Sequence, residues 1–235
     1  MQKTWLLIYL LLAFALSAGG CASTEPAYEY ETKELYAERD GKQIYGVIYV
    51  PKGAGEQMPA VIFSHGFAGN YQVGTQYAQE LAAHGYVDSD NLFLMGTSQG
   101  GAVSAITGAA HKEEIWGMVL LYPAFVMTDH ANEMYQSVDE IPETSYFLWM
   151  EVGRAYFEPL IGYDFYEEIA AYDKDVLLIH GDADDIVPLS YSEKALEVYP
   201  SAELKVIPGG GHGFYEEDAR QTTDYMLEYL DGNRV

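Results

Sequence analysis

"NLFLMGTSQGG" (Asn91–Gly101) joins an apolar run to the pentapeptide Gly96-Thr97-Ser98-Gln99-Gly100 and runs straight on into the small and apolar residues of Gln99–Ala110. The run suits a buried strand and the segment after it suits a helix. A G-x-S-x-G placed between the two has a physical purpose. The glycines let strand and helix pack closely around one strained residue, so that the serine hydroxyl projects above the sheet. The helix N-terminus then favours negative charge developing beside it. As five letters the pattern is common in turns; its position between strand and helix makes Ser98 a candidate nucleophile.

Working outward, similar short apolar runs recur at 60–64 (AVIFS), 117–123 (GMVLLYP), 175–180 (DVLLIH) and 203–208 (ELKVIP). Such runs fit strands covered on both faces. Between them lie amphipathic segments that predict helices over Gln72–His84, Gln99–Ala110, Ser190–Tyr199 and Glu216–Leu230. The implied fold class is α/β, a mostly parallel sheet with helices on both faces. Ahead of it, Glu29–Glu38 and Lys42–Val50 alternate Tyr, Ile and Val with polar residues around an Asp40-Gly41 turn, which predicts an antiparallel hairpin. From Phe125 to Tyr172 the periodicity lapses and aromatics crowd together, the pattern of a cap inserted before the 175–180 strand.

A serine hydroxyl needs a base, and the base needs an orienting acid. "HGDADDIVP" (His180–Pro188) turns out of one predicted strand with Asp182, Asp184 and Asp185, and "GGGHGF" (Gly209–Phe214) presents His212 after the last strand. All these groups fall at the carboxyl ends of parallel strands, where open α/β sheets place their sites.

With "HGFAGN" (His65–Asn70), "GTSQGG", "HGDADDIVP" and "GGGHGF" in this order, the chain resembles the α/β-hydrolase serine esterases, most closely the feruloyl or cinnamoyl esterase and acyl-ester hydrolase branch, over nearly all of Tyr28–Leu230. The resemblance implies Ser98 as nucleophile, His212 as base and Asp184 as orienting acid, with Asp182 the runner-up and Asp185 facing solvent. It implies an oxyanion hole from the backbone N–H groups of Phe67 and Gln99, with His65 bracing the oxyanion loop. His180 is expected to be bonded near its strand end, and His84, His111 and His130 have no partner pattern.

The chain departs from that family in one place. Related hydrolases insert a further strand and helix between the first parallel strand and the nucleophile strand. Here residues 65–90 leave room for only the oxyanion loop, one helix and a turn. One strand-helix unit is therefore expected to be missing near Val87-Asp88. If Gln72–His84 connects the two strands directly, either it changes face of the sheet or its crossover is left-handed, against a strong rule. One face also loses a helix and exposes apolar area.

The first twenty residues, with Lys3, an apolar run from Trp5 to Leu16 and small residues up to Gly20, read as an export signal. Cys21, the only cysteine, resembles a lipobox cysteine, which implies lipidation there, a tether over 21–27 and a hydrolase domain over 28–235. A formal charge of −24 opposes nucleic acid and anionic lipid as partners, so any membrane association is expected through the lipid anchor alone. No metal-ligand spacing and no nucleotide loop is present, so no metal and no cofactor are expected. The sequence therefore predicts an exported serine hydrolase of small-molecule carboxylic esters, including aryl or hydroxycinnamoyl esters. Alternatives are a serine exopeptidase and a non-catalytic hydrolase-fold lipoprotein.

Overall fold

The computed structural model describes residues 28–39, 41–53, 59–86 and 91–233. The export segment 1–20, Cys21, the tether and the Val87-Asp88 junction lie outside these residues. Strands β1 (Tyr30–Arg39) and β2 (Lys42–Pro51) form the expected hairpin, Tyr30 opposite Pro51 and Arg39 opposite Lys42, with Gly41 at φ +72° in the turn. Then follow β3 (Ala60–Ser64), a 3-10 turn over Tyr71–Gly74, α1 (Thr75–Ala83), β4 (Leu92–Thr97), α2 (Gln99–Ala110) and β5 (Ile115–Leu121). The cap contains α3 (Met127–Met134), a second hairpin of β6 (Thr144–Phe147) and β7 (Met150–Gly153), and α4 (Phe165–Ile169). The chain then returns through β8 (Val176–Gly181), α5 (Ser190–Val198), β9 (Ala202–Ile207) and α6 (Glu216–Gly232).

The main sheet is parallel throughout, in the order β3-β4-β5-β8-β9. Its central strands are apolar on both sides because both sides are covered. Phe93, Met95, Val119, Leu121, Leu177 and Ile179 pack towards α1 and α6, and the alternate residues Leu94, Met118, Leu120, Val176 and Leu178 pack towards α2, α4 and α5.

Among the described residues no strand intervenes between β3 and β4, which pair directly from Ala60 opposite Leu92 to Ser64 opposite Gly96. The crossovers through α1 and α2 advance in the same direction across the sheet. Yet Tyr77 and Leu81 of α1 pack with Met226, Leu227 and Leu230 of α6, whereas Ala102 and Ala105 of α2 pack on the opposite face. The two crossovers are therefore of opposite hand. The one through α5 uses the α2 face and the same direction, so the α1 crossover is the one that breaks the right-handed rule. Of the two alternatives set out above, the helix stayed on its face and the handedness gave way.

Ile62, alternating with Val61 and Phe63 of β3, is 51% exposed, and Val103 on α2 is 43% exposed. Among the described residues the β1–β2 hairpin pairs with neither edge of the main sheet; it leans on α1, with the Tyr28 N–H donating to the Ala83 carbonyl.

The cap has a small core of its own, Ala131, Ile141, Phe147 and Phe157. Arg154 fastens it, donating to the carbonyls of Ile141 and Val138 and pairing with Glu158. Part of the aromatic density in the sequence is thus cap core, but Tyr146 and Trp149 are exposed.

Candidate active site

Ser98 sits between β4 and α2 at φ 52°, ψ −121°, a conformation that L residues rarely adopt. The surroundings hold it there. Its N–H donates to the Leu121 carbonyl (2.9 Å), and its own carbonyl accepts from the N–H groups of Ala102 (3.1 Å) and Ala124 (2.9 Å). A Cβ on Gly96 would collide with the Gly100 carbonyl, and one on Gly100 would collide with the Ser64 carbonyl at the end of β3. Both obstacles are backbone and cannot swing aside. Gly100→Ala is therefore expected to destabilise the protein by about 1–3 kcal/mol or more. At roughly 2–4 °C per kcal/mol for a chain of this size, a thermal melt should show a loss of several degrees. An unchanged melting temperature would refute this account of the elbow.

His212 lies in the loop after β9, between Gly209 at φ +75° and Gly213 at φ +113°. Its Nε2 is 2.9 Å from Ser98 Oγ and its Nδ1 is 2.8 Å from Asp184 Oδ2. Asp184 is fully buried at its side chain. Its Oδ1 accepts from the N–H groups of Ile186 (2.9 Å) and Val187 (2.8 Å), and its Oδ2 also lies 3.3 Å from His180 Nε2. Burial pushes this carboxyl pKa upward, but the hydrogen bonds from His180, His212 and the Val187 N–H outweigh it and hold the group well below the usual carboxylate range. An ionised Asp184 fixes the proton on His212 Nδ1, leaving Nε2 to accept from the Ser98 hydroxyl. A hydroxyl, an imidazole and a buried carboxylate linked in this way can pass a proton from serine to imidazole and hold the charge that forms.

The other acidic and histidine side chains of these loops take different places. Asp185 is exposed. Asp182, the runner-up acid, accepts from the Gly209 N–H at 2.6 Å, across to the His212 loop. Together with the Ala183 N–H donating to the Gly210 carbonyl (3.0 Å), this clamps the acid-bearing turn to the base-bearing one. His65 donates from Nδ1 to the Gly66 carbonyl (2.9 Å), within its own loop. His180 is buried, bonded through Nδ1 to Ser192 Oγ (2.7 Å) and through Nε2 to the Val187 carbonyl (2.9 Å).

Gly66 lies flat against the elbow, where an added Cβ would meet Ser98 Cβ at 3.1 Å and the Thr97 carbonyl at 3.3 Å. This brings Phe67 to the side of Ser98, while Gln99 opens α2, in whose first turn the N–H groups lack intrahelical acceptors. The Phe67 ring reaches the other way, edge-on to Phe147 (5.8 Å), Trp149 (5.8 Å) and Tyr156 (5.4 Å), so the cap steadies this loop.

These groups open into a cleft of about 210 Å³ walled by Phe67, Leu148, Trp149, Ile186 and Tyr215. Among the described residues, its lining carries no Asp, Glu, Lys or Arg side chain. Tyr122, not singled out from the sequence, stands beneath the base, its ring edge-on to His212 at 4.9 Å and to Phe214 at 4.9 Å. Its place at the end of β5 was a usable signal, because sites of such sheets gather at strand carboxyl ends. Leu148 and Trp149, at the tip of the cap hairpin, carried no comparable signal.

Fold and constellation together define an α/β hydrolase. Within that class the chain belongs to the prolyl oligopeptidase family, whose model matches residues 74–233. Among solved structures it is similar to Est1E from Butyrivibrio proteoclasticus, at 20% identity and TM-score 0.69 over 84% of this chain and 99% of that one. It is also similar to DcsB, solved with a substrate analogue, at 16% identity and TM-score 0.71 over 88% of this chain and all of that one. Among curated proteins, a putative carbamate hydrolase RutD from Caulobacter sp. (strain K31) is 30% identical over 114 residues, 48% of this chain and 42% of that protein. The non-heme chloroperoxidase CPO-A1 of Kitasatospora aureofaciens is 36% identical over 71 residues, 29% and 26% of the respective chains. The chain thus spans less than half the length of these two curated relatives.

Proposed function

We propose that the protein is a serine hydrolase of small neutral carboxylic esters that works through an acyl-enzyme. Ser98 Oγ attacks the ester carbonyl as its proton passes to His212 Nε2, and the N–H groups of Phe67 and Gln99 hold the resulting oxyanion. His212 returns the proton to the departing alcohol. Water, deprotonated by the same nitrogen, then attacks the acyl-serine and frees the acid. The observation that carries this reading is the hydrogen-bonded series Ser98, His212, Asp184 opening into a small aromatic and aliphatic cleft. The aromatic walls suit an aryl or hydroxycinnamoyl acyl group. Est1E, whose fold is similar, has also been solved with ferulic acid bound.

The shortened connection does not argue against activity. Leu92 begins β4 and Ser98 follows its end, so roughly 20 Å of strand lies between the start of β4 and the serine. The nucleophile, acid and base strands are all present. Export and anchoring through Cys21 belong to the same proposal and rest on the sequence of the first 21 residues.

The family's name favours a second reading, a peptidase. An exopeptidase must neutralise the charged end of its substrate, and the cleft has no carboxylate or lysine to do so. Purified protein is expected to hydrolyse p-nitrophenyl acetate or butyrate with a kcat/KM roughly 100-fold above that for aminoacyl p-nitroanilides. Anilide turnover matching ester turnover would replace the ester reading with the peptidase one.

A further inference from the structure

A second pocket is larger than the Ser98 cleft. It is an open pocket of about 580 Å³ between α3, the 162–166 segment and the start of α5, and Ser98 and His212 are not part of its lining. Its volume is within the range of small-molecule sites. We propose that it binds a neutral saccharide unit, independently of the ester chemistry.

The wall chemistry selects that class by elimination and by match. Tyr163 supplies apolar ring surface, fixed edge-on by Phe165 at 4.9 Å, over a floor formed by the buried Phe125. Around the rings stand polar groups with spare capacity among the described residues. Asp129 accepts from the Tyr191 hydroxyl through Oδ2 (2.5 Å) and keeps Oδ1 free. Asn132 accepts from the Gly162 N–H through Oδ1 (3.3 Å) and keeps its amide NH₂ free. Acceptor and donor side by side are what a ring of hydroxyls requires, since each hydroxyl both gives and takes a hydrogen bond.

Other ligand classes fit less well. A cationic ligand would seek the aromatic and acidic surface, but the chain supplies its own cation: the Lys194 ammonium lies 3.9 Å over the Tyr166 ring. An anion would meet Asp129 and Asp164 in the lining against that one lysine. A divalent metal would need a cluster of ligands, and none of three or more His, Cys, Asp or Glu occurs among the described residues.

The test is isothermal titration and saturation-transfer NMR of the full chain with xylose, arabinose, glucose, xylobiose and cellobiose. At least one sugar is expected to bind with Kd of about 1 mM or tighter. Tyr163→Ala should weaken it roughly tenfold, and Asp129→Asn, which retains an acceptor for Tyr191, roughly threefold. Ester hydrolysis by both variants should stay at the parent level. Should Tyr163→Ala fail to fold, Asp129→Asn alone decides. Failure of every sugar to bind below about 10 mM would overturn the proposal. So would equal affinity in parent and variants, or tighter binding of tetramethylammonium or inorganic phosphate. A protein that binds sugar but cleaves no ester would sink the ester reading and leave this one standing.

Discussion

Ser98→Ala is expected to lower kcat for p-nitrophenyl esters by roughly 10⁶-fold and to abolish labelling by a fluorophosphonate probe, with little change in thermal stability. The size follows from the connected arrangement. Once the nucleophile is gone, His212 has no proton to accept, and the ionised Asp184 behind it has nothing left to stabilise. What survives is oxyanion binding alone. Stability should hold because, among the described residues, the Ser98 hydroxyl bonds to His212 Nε2 alone, while the strained backbone is held by the Leu121 carbonyl and by the Ala102 and Ala124 N–H groups, which alanine keeps. Turnover within tenfold of the parent would mean that another nucleophile is at work.

The second large effect is expected from Asp184→Asn, about 10⁴-fold in kcat. The amide can still accept from the Ile186 and Val187 N–H groups through its oxygen. Its NH₂ must then face His212 Nδ1, where the parent has a carboxylate, so the ring proton moves to Nε2 and the base can no longer accept from Ser98. A pH dependence follows with a definite sign. The Asp184 pKa is depressed in the folded state relative to about 3.9 when unfolded. Its ionised form therefore contributes stability above about pH 4, and that contribution is lost as pH falls through the folded-state value. The gap between the melts of parent and variant should narrow as pH falls from 7 to 3, because the unfolded carboxyl takes up its proton in that range while the folded one does not. A gap that stays constant would show that the carboxylate charge contributes no stability. Kinetics at neutral pH separates this from the catalytic effect, since the folded parent and folded variant are compared there.

Much of the sheet was legible because its signals are local. Continuous apolar runs such as Val176–Ile179 have no alternative to a strand covered twice, and α2 begins at Gln99 because the glycines around Ser98 allow a turn there that other residues forbid. The acid and base were legible for a related reason. In a parallel sheet every strand ends on the same side, so Asp184 and His212, each just past a strand, arrive near Ser98 by topology. Less was legible in the cap, where Tyr146, Phe147, Leu148 and Trp149 are consecutive in sequence and diverge in role. Phe147 enters the cap core, Leu148 and Trp149 overhang the cleft, and Tyr146 faces solvent. Alternation could separate two faces of that hairpin, but it could not say which face would meet the oxyanion loop.

The sequence by itself determined the class of this protein: the elbow at Ser98, the chain order of the candidate nucleophile, acid and base, and the absence of room for one strand and helix before β4. The tertiary structure decided how that shortening was absorbed. A helix's apolar stripe says that one side must be buried, not which face of the sheet will bury it. For α1 the packing of Tyr77 and Leu81 against α6 outweighed the usual crossover hand. The same distinction holds at the site. Three residues were readable from their strand ends, but the Tyr122 ring under His212 and the Asp182 clamp on Gly209 join positions dozens of residues apart, and only the folded chain brings them together.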